Sequence, residues 1–281
     1  MMRDLHVGCK RIEQAFEQSF AGPPMIRLTN YPLLLFVTSF VLLNLSIWIG
    51  ARVFRKTWPP REDTREDFGI VQTATLTLLG LLIGFTFSMS ISRYDMRKNL
   101  EEAEANAIGT EFVRADLLPA ADAAKVRSLL RDYFAQRVLF YTTRDEREID
   151  RINARTAQLQ TEMWAAVVAP AAATPTPVVT LAVAGMNDVL NSQGYTQAAW
   201  WNRIPTAAWA LMFAIAACSH VLVGYGAHDA RAERILLVLP LVMSIAFFLI
   251  ADIDAPRGGV IRVRADNLMS IAESIGIPPS R

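Results

Sequence analysis

Thr73, Thr77, Gly80, Gly84 and Ser88 recur at steps of three and four inside an otherwise apolar run of this 281-residue chain. On a helix those steps share one face. Two kinds of physics use such a face. Small residues let helix backbones approach closely in lipid, and Gly80 and Gly84 form a GxxxG pair. A small, polar face also tolerates water and ions, and the adjoining Leu81 and Phe85 would then form an apolar constriction. The spacing leaves both open. Thr73, Thr77, Leu81, Gly84, Phe85 and Ser88 are the pore or neck candidates.

A charged group follows at once: Arg93, Asp95, Arg97 and Lys98, then Glu101, Glu102 and Glu104. It reads either as a solvated, salt-bridged helix face or as an ion site. Glu104, Asn106, Arg114 and Asp116 lie before Pro119 and could form a polar network between helices, with Asp188 and Arg203 as further members. Asp252 and Asp254 bracket Ile253, just ahead of Arg257. Two carboxylates suit a hard cation, or they cap the next segment and pair with Arg257 and Arg262. His220 is an ionisable group within an apolar run, which marks a possible functional site.

Catalysis finds no support in the motifs. GxSxG, the phosphate-binding loop, GxGxxG and paired metal-ligand patterns are all missing. The three histidines form no HxxxH or HExxH pair, and Cys9 and Cys218 stand far apart with no CxxC. No enzyme activity, metal or cofactor is expected. A formal net charge of +1 gives no basic excess to favour nucleic acid.

The elements that position these residues follow from hydropathy. The chain is 52% hydrophobic yet 20% charged, and the two kinds of residue fall in separate blocks. Tyr31 to Phe54, Phe68 to Ser92, Ile204 to Tyr225 and Ile235 to Ala251 are apolar runs. A helix needs about 20 apolar residues to cross a bilayer, with roughly 17 as a lower limit. The fourth run is short and holds Pro240, which implies a kink. Four such runs would need too large a core in a soluble chain of this size. The first run is too long for a signal-peptide core and reads as a retained helix.

The expected fold is an all-α membrane protein of four transmembrane helices in two hairpins, with a helical soluble segment between spans two and three. The expected divisions are a polar tail at 1–30 with a short amphipathic helix over Arg11 to Phe20, a hairpin at 31–93, the soluble segment at 94–203, a hairpin at 204–251 and a tail at 252–281. No Pro falls between Phe68 and Leu118, so span two should continue as one rod of roughly 50 residues, about 75 Å at 1.5 Å per residue. Further helices are expected over Asp122 to Thr142, Asp145 to Val168 and Val178 to Ser192, with PAAATPTP as a break. Trp200 and Trp201 suit the headgroup region at the edge of span three. Four spans put both termini and the soluble segment on one side, and the Lys and Arg counts barely favour either side.

The run LLGLLIGFTFSMSISRYDMRKNLEEAEANAIGTEFVRADLLP resembles the bacterial bestrophin-like family of multi-pass membrane proteins. So do NRIP before span three and ADIDAPRGGVIRV after span four. The three blocks stand in the family's order and cover most of Phe68 to Leu268. A more distant similarity runs to bestrophin ion channels: pentamers with four spans, cytosolic termini and a pore lined by span two. That resemblance implies a neck at Thr77, Leu81 and Phe85, with Gly84-Phe85 matching the Gly-Phe of those channels. Thr77 departs from their bulky apolar neck residue. Asp252 and Asp254 are all that remains of the acidic run with which animal bestrophins bind calcium, so calcium control is not implied.

The leading expectation is a bestrophin-like ion channel or related permeation protein. The alternative is a non-conducting scaffold or sensor whose soluble segment binds a partner. The expected surroundings are a lipid bilayer, in bacteria the inner membrane, and permeant ions. The chain is expected to form a homo-oligomer, a pentamer by the resemblance, which also implies a cytoplasmic soluble segment.

Overall fold

The structure is a computed structural model that describes residues 28–58, 65–227 and 236–277. Among the described residues the regular structure is helical, with no strand. Helix α1, Pro32–Ile49, continues through a π-helical turn, Gly50–Phe54, into Arg55–Thr57. Then come α2 (Arg65–Arg114), α3 (Ala120–Thr142), α4 (Glu146–Ala173) and α5 (Pro177–Trp201). The chain closes with α6 (Thr206–Gly226), α7 (Val238–Asp254) and the short α8 (Asp266–Ile271). The expected amphipathic helix at Arg11 to Phe20 and the loops that would close the two hairpins lie outside the described residues.

Helix α2 is the expected rod, 50 residues without a break. Its sequence lacks Pro, and the stretch after Arg97 is rich in good helix formers. Two other expectations need correcting. The break falls inside PAAATPTP as expected, at Thr174–Thr176, but α4 does not end at Val168 and runs through Pro170 to Ala173, because the proline ring sits in the last turn where one lost hydrogen bond costs least. Helix α5 does not stop at Ser192 but passes through Gly194 to Trp201. An N-cap bond from the Val179 amide to Thr176 Oγ1 starts it, at 3.3 Å. One glycine costs only about 1 kcal/mol in a helix that tertiary packing supports.

The chain divides into two compact units, one of residues up to Phe87 with Ile204–Ala255, the other of Ser88–Arg203 with Pro256–Arg281. In the first, α1 packs on both α6 and α7. The crossing of α1 and α6 is made by glycines. A Cβ on Gly50 would lie 2.0 Å from the Val221 carbonyl oxygen, and one on Gly224 would lie 2.0 Å from that of Ile47. The core of this unit includes Leu35, Leu43, Leu79, Trp209, Met212 and Phe247. Around it the surface is oily: Leu33, Val37, Val41, Leu45 and Trp48 of α1 are each at least half exposed.

Among the described residues, three helical stretches are long and apolar enough to cross a membrane: Pro32–Thr57, Asp67–Leu117 and Pro177–Gly226. Helix α7 is as apolar but has 17 residues, at the lower limit for spanning. Only 6% of the most apolar window of α2 is buried within the chain, which distinguishes it from a core helix of a soluble protein.

The second unit is a helical bundle around Ile108, Val126, Leu130, Tyr133, Phe140, Leu159 and Met186. Helix α3 packs on α4, and α4 on α5. The C-terminal segment is tied in by Glu101, whose carboxylate accepts from the Leu268 amide at 2.8 Å and the Asn267 side-chain amide at 2.6 Å.

Candidate functional site

Within the first unit, Thr73, Thr77, Gly80, Leu81, Gly84 and Phe85 of α2 are all exposed, Phe85 to 63%. A Cβ on Gly80 or Gly84 would meet nothing within 4 Å. The GxxxG pair therefore makes no close crossing inside the chain, and Gly50 with Gly224 supplies one instead. The side of α2 turned into the unit carries Leu79 and Thr86.

Within the second unit, Ser88, Asp95, Asn99, Glu102 and Asn106 of α2 are exposed. Ser88, Ser92, Asp95 and Asn99 line an open concavity with Ile91 and Leu100. Helical phase puts Asp95, Asn99, Glu102 and Asn106 on one face of α2 at steps of three and four.

The opposite side of α2 carries buried charge. Arg97 is buried and donates to the Ala199 carbonyl at 3.2 Å and the Asn202 carbonyl at 3.1 Å. These lie at the end of α5, where a helix leaves carbonyls unpaired and its dipole favours a cation. Glu104 is fully buried and accepts from Arg137 Nε and Nη2, from the Tyr141 hydroxyl at 3.0 Å and from Thr196 Oγ1 at 3.3 Å. Burial alone would lower the Arg137 pKa, but the Glu104 carboxylate carries it above the ordinary arginine value. Burial pushes the Glu101 carboxyl up, against its bonds to Leu268 and Asn267.

Glu111 lies two turns beyond Glu104, also fully buried, with no hydrogen-bond partner on either oxygen. Burial raises its pKa to about 8, the Arg114 charge opposing and Asp188 reinforcing the shift. Gly185 of α5 gives it room: a Cβ there would stand 2.1 Å from Glu111 Oε2 and 2.7 Å from Arg114 Nη1. Asp116 pairs with Arg127 at 2.5 Å near the surface.

Arg257, just past α7, lies with its Cζ 4.6 Å from the Phe140 ring centre and 4.4 Å from the Trp200 ring. Burial lowers its pKa to about 10, helped by the Arg137 and Arg203 charges and opposed by Glu146. Trp200 is thus not a headgroup anchor. It is buried against Phe140 and Tyr141, while Trp201 stays 59% exposed. The correction has a simple cause: adjacent residues on a helix lie 100° apart, so a Trp pair divides between core and surface.

In the first unit, Asp254 is buried and accepts from the Ile204 amide at 3.2 and 3.3 Å. That bond ties the chain just ahead of α6 to the end of α7. Asp252 is buried beside it in sequence. Among the described residues no group of three or more His, Cys, Asp or Glu is placed to hold a metal ion. His220 is buried, with Nδ1 2.7 Å from the Ala216 carbonyl one turn back.

Of the expected polar residues, Arg97, Glu104 and Asp116 bond to groups outside that set (Ala199 and Asn202, Arg137, Arg127), whereas Asp95, Asn106 and Asp188 are exposed and Arg93 is half-buried. Sequence reading did not single out Arg137, Tyr141 or Glu111. Arg137 had a signal, since it falls on the apolar face of α3 between Phe134 and Phe140.

Apolar helices with outward oily surfaces and a bundle holding a buried ion pair define an all-helical membrane protein. Residues 37–268 match the Bestrophin-like domain, and the chain belongs to the Bestrophin-like family. Solved structures of a bacterial bestrophin homolog from Klebsiella pneumoniae share the fold. One, phased with zinc, has a TM-score of 0.63 at 14% identity, covering 86% of this chain and 99% of that one. A point variant gives 0.60 at 14% identity, with 85% and 99% covered. A comparison with curated protein sequences finds no significant match.

Proposed function

We propose that the protein is an ion channel of bestrophin type. In this reading four helices (α1, the first half of α2, α6 and α7) cross the bilayer as two hairpins, and copies assemble around an axis lined by α2. The chain conducts and catalyses nothing. The observation that carries the reading is the unpartnered face of Thr73, Thr77, Gly84 and Ser88 on a helix whose apolar window is 6% buried. A small, polar face on lipid would waste its hydrogen-bonding groups, whereas facing water along an axis it loses nothing. Phe85, exposed on that side, supplies the apolar narrowing. Asp95 and Glu102 continue as exposed carboxylates, and rings of them favour cations.

Flux assays in liposomes test this directly. Phe85→Ala should raise ion flux several-fold by removing the ring from a dewetted constriction, and Thr77→Leu should lower it. Both variants should keep the wild-type oligomer. If neither variant nor the wild type conducts above protein-free liposomes, the scaffold reading takes its place.

A further inference from the structure

Three buried N–H groups around Phe140 have no acceptor among the described residues: Arg137 Nη1, Arg257 Nη1 and Trp200 Nε1. They belong to one neighbourhood. The Arg137 Cζ lies 4.3 Å and the Arg257 Cζ 4.6 Å from the Phe140 ring centre, and the Trp200 ring centre lies 4.9 Å from it. Their charge is also out of balance. Two guanidiniums meet one carboxylate, Glu104, which is engaged by Arg137, Tyr141 and Thr196. Among the described residues Arg257 has no ion-pair partner, and ring faces hold it. Arg257 is half-buried, but its Nη1 is out of contact with solvent, and each buried N–H left without an acceptor is costly.

We infer that the interior of the second unit beside Phe140 takes up a small monovalent anion of halide size, bound by Arg257, Arg137 and Trp200. A water could accept from at most two of the donors and would leave the charge unbalanced. The donor atoms are out of contact with solvent, which rules out an occupant on the outer surface and favours a compact ion. Glu146 is the competing source of negative charge. It is exposed on the first turn of α4 and acts on Arg257 only from a distance. The inference does not depend on conduction.

The test uses the purified full-length oligomer in detergent, with chloride exchanged for gluconate at constant ionic strength. Chloride should raise the Tm saturably, by about 2–4 °C. Arg257→Gln should abolish that increment. Trp200→Phe keeps the ring but removes one donor, and should raise the half-saturating chloride concentration several-fold; it decides the matter if Arg257→Gln fails to fold. Bromide should give an anomalous peak beside Phe140. The inference is overturned by a chloride effect that survives both variants, by no chloride effect at all, or by Glu146→Gln removing the same stabilisation in gluconate.

Discussion

Ionising Glu111 in the folded state means placing a bare carboxylate among Arg114, Asp188 and the backbone of Gly185, with no hydrogen bond to either oxygen. Its folded pKa, raised to about 8, stands above the ordinary unfolded carboxylate value. The folded protein therefore binds one more proton than the unfolded chain between those two values, and stability falls as pH rises through that window. Below it both states are protonated and the group is neutral in its effect. The cost once ionised is on the order of a few kcal/mol. Glu111→Gln should remove it: equal Tm near pH 4, and a variant more stable by several degrees at pH 8–9. A variant less stable than wild type at pH 9 would show that the carboxylate charge is used. Glu104 is a different case, because Arg137, Tyr141 and Thr196 all bond it; truncating it would strand Arg137 at a cost of roughly 3–5 kcal/mol.

At the scale of helices, the sequence displayed the long rod and most of the bundle plainly. Α2 is legible because apolar periodicity passes into Glu-, Ala- and Lys-rich sequence without Pro or a cap. What was not legible is which glycines bring helices together. Gly80 and Gly84 carry the recognisable spacing but face open space, while Gly50 and Gly224 carry no motif and make the crossing. A lone glycine on each helix is enough when two helices touch at one point, and spacing within one helix cannot report that. Glu104 was legible as a polar candidate, and its partner Arg137 carried a signal of its own, a charge on the apolar face of α3, but nothing in the spacing joins the two helices. The crossing gives a direct contrast. Gly224→Ala puts a methyl against the Ile47 carbonyl and forces α1 and α6 apart, costing about 1–3 kcal/mol as overpacking does. It should lower the Tm by several degrees or abolish monodisperse expression. Gly80→Ala meets nothing within the chain and should leave the monomer fold intact, with helical content and Tm within a degree or two of wild type.

For the assembled molecule, the question is what covers the first half of α2. Lipid would suit Leu78, Ile70 and Val71, which are exposed and apolar. It would not suit Thr73, Thr77 and Ser88, whose polar groups lie on the unpartnered face. If that face turns to a shared axis, symmetry brings the same residue of every copy close to that axis. Thr77→Cys, in a background with Cys9 and Cys218 replaced by Ser, should then crosslink between copies under mild oxidation or with a short bifunctional reagent. The ladder should end at the subunit number of the ring, five by the bestrophin reading. Val41→Cys, on the oily outer surface of α1, should not crosslink under the same conditions. Equal crosslinking at both positions would mean random collision in the detergent micelle, and crosslinking at Val41 alone would place α2 outside and α1 at the interface. Either pattern would separate the exposed stripe from the axis and withdraw the main support for a pore along α2.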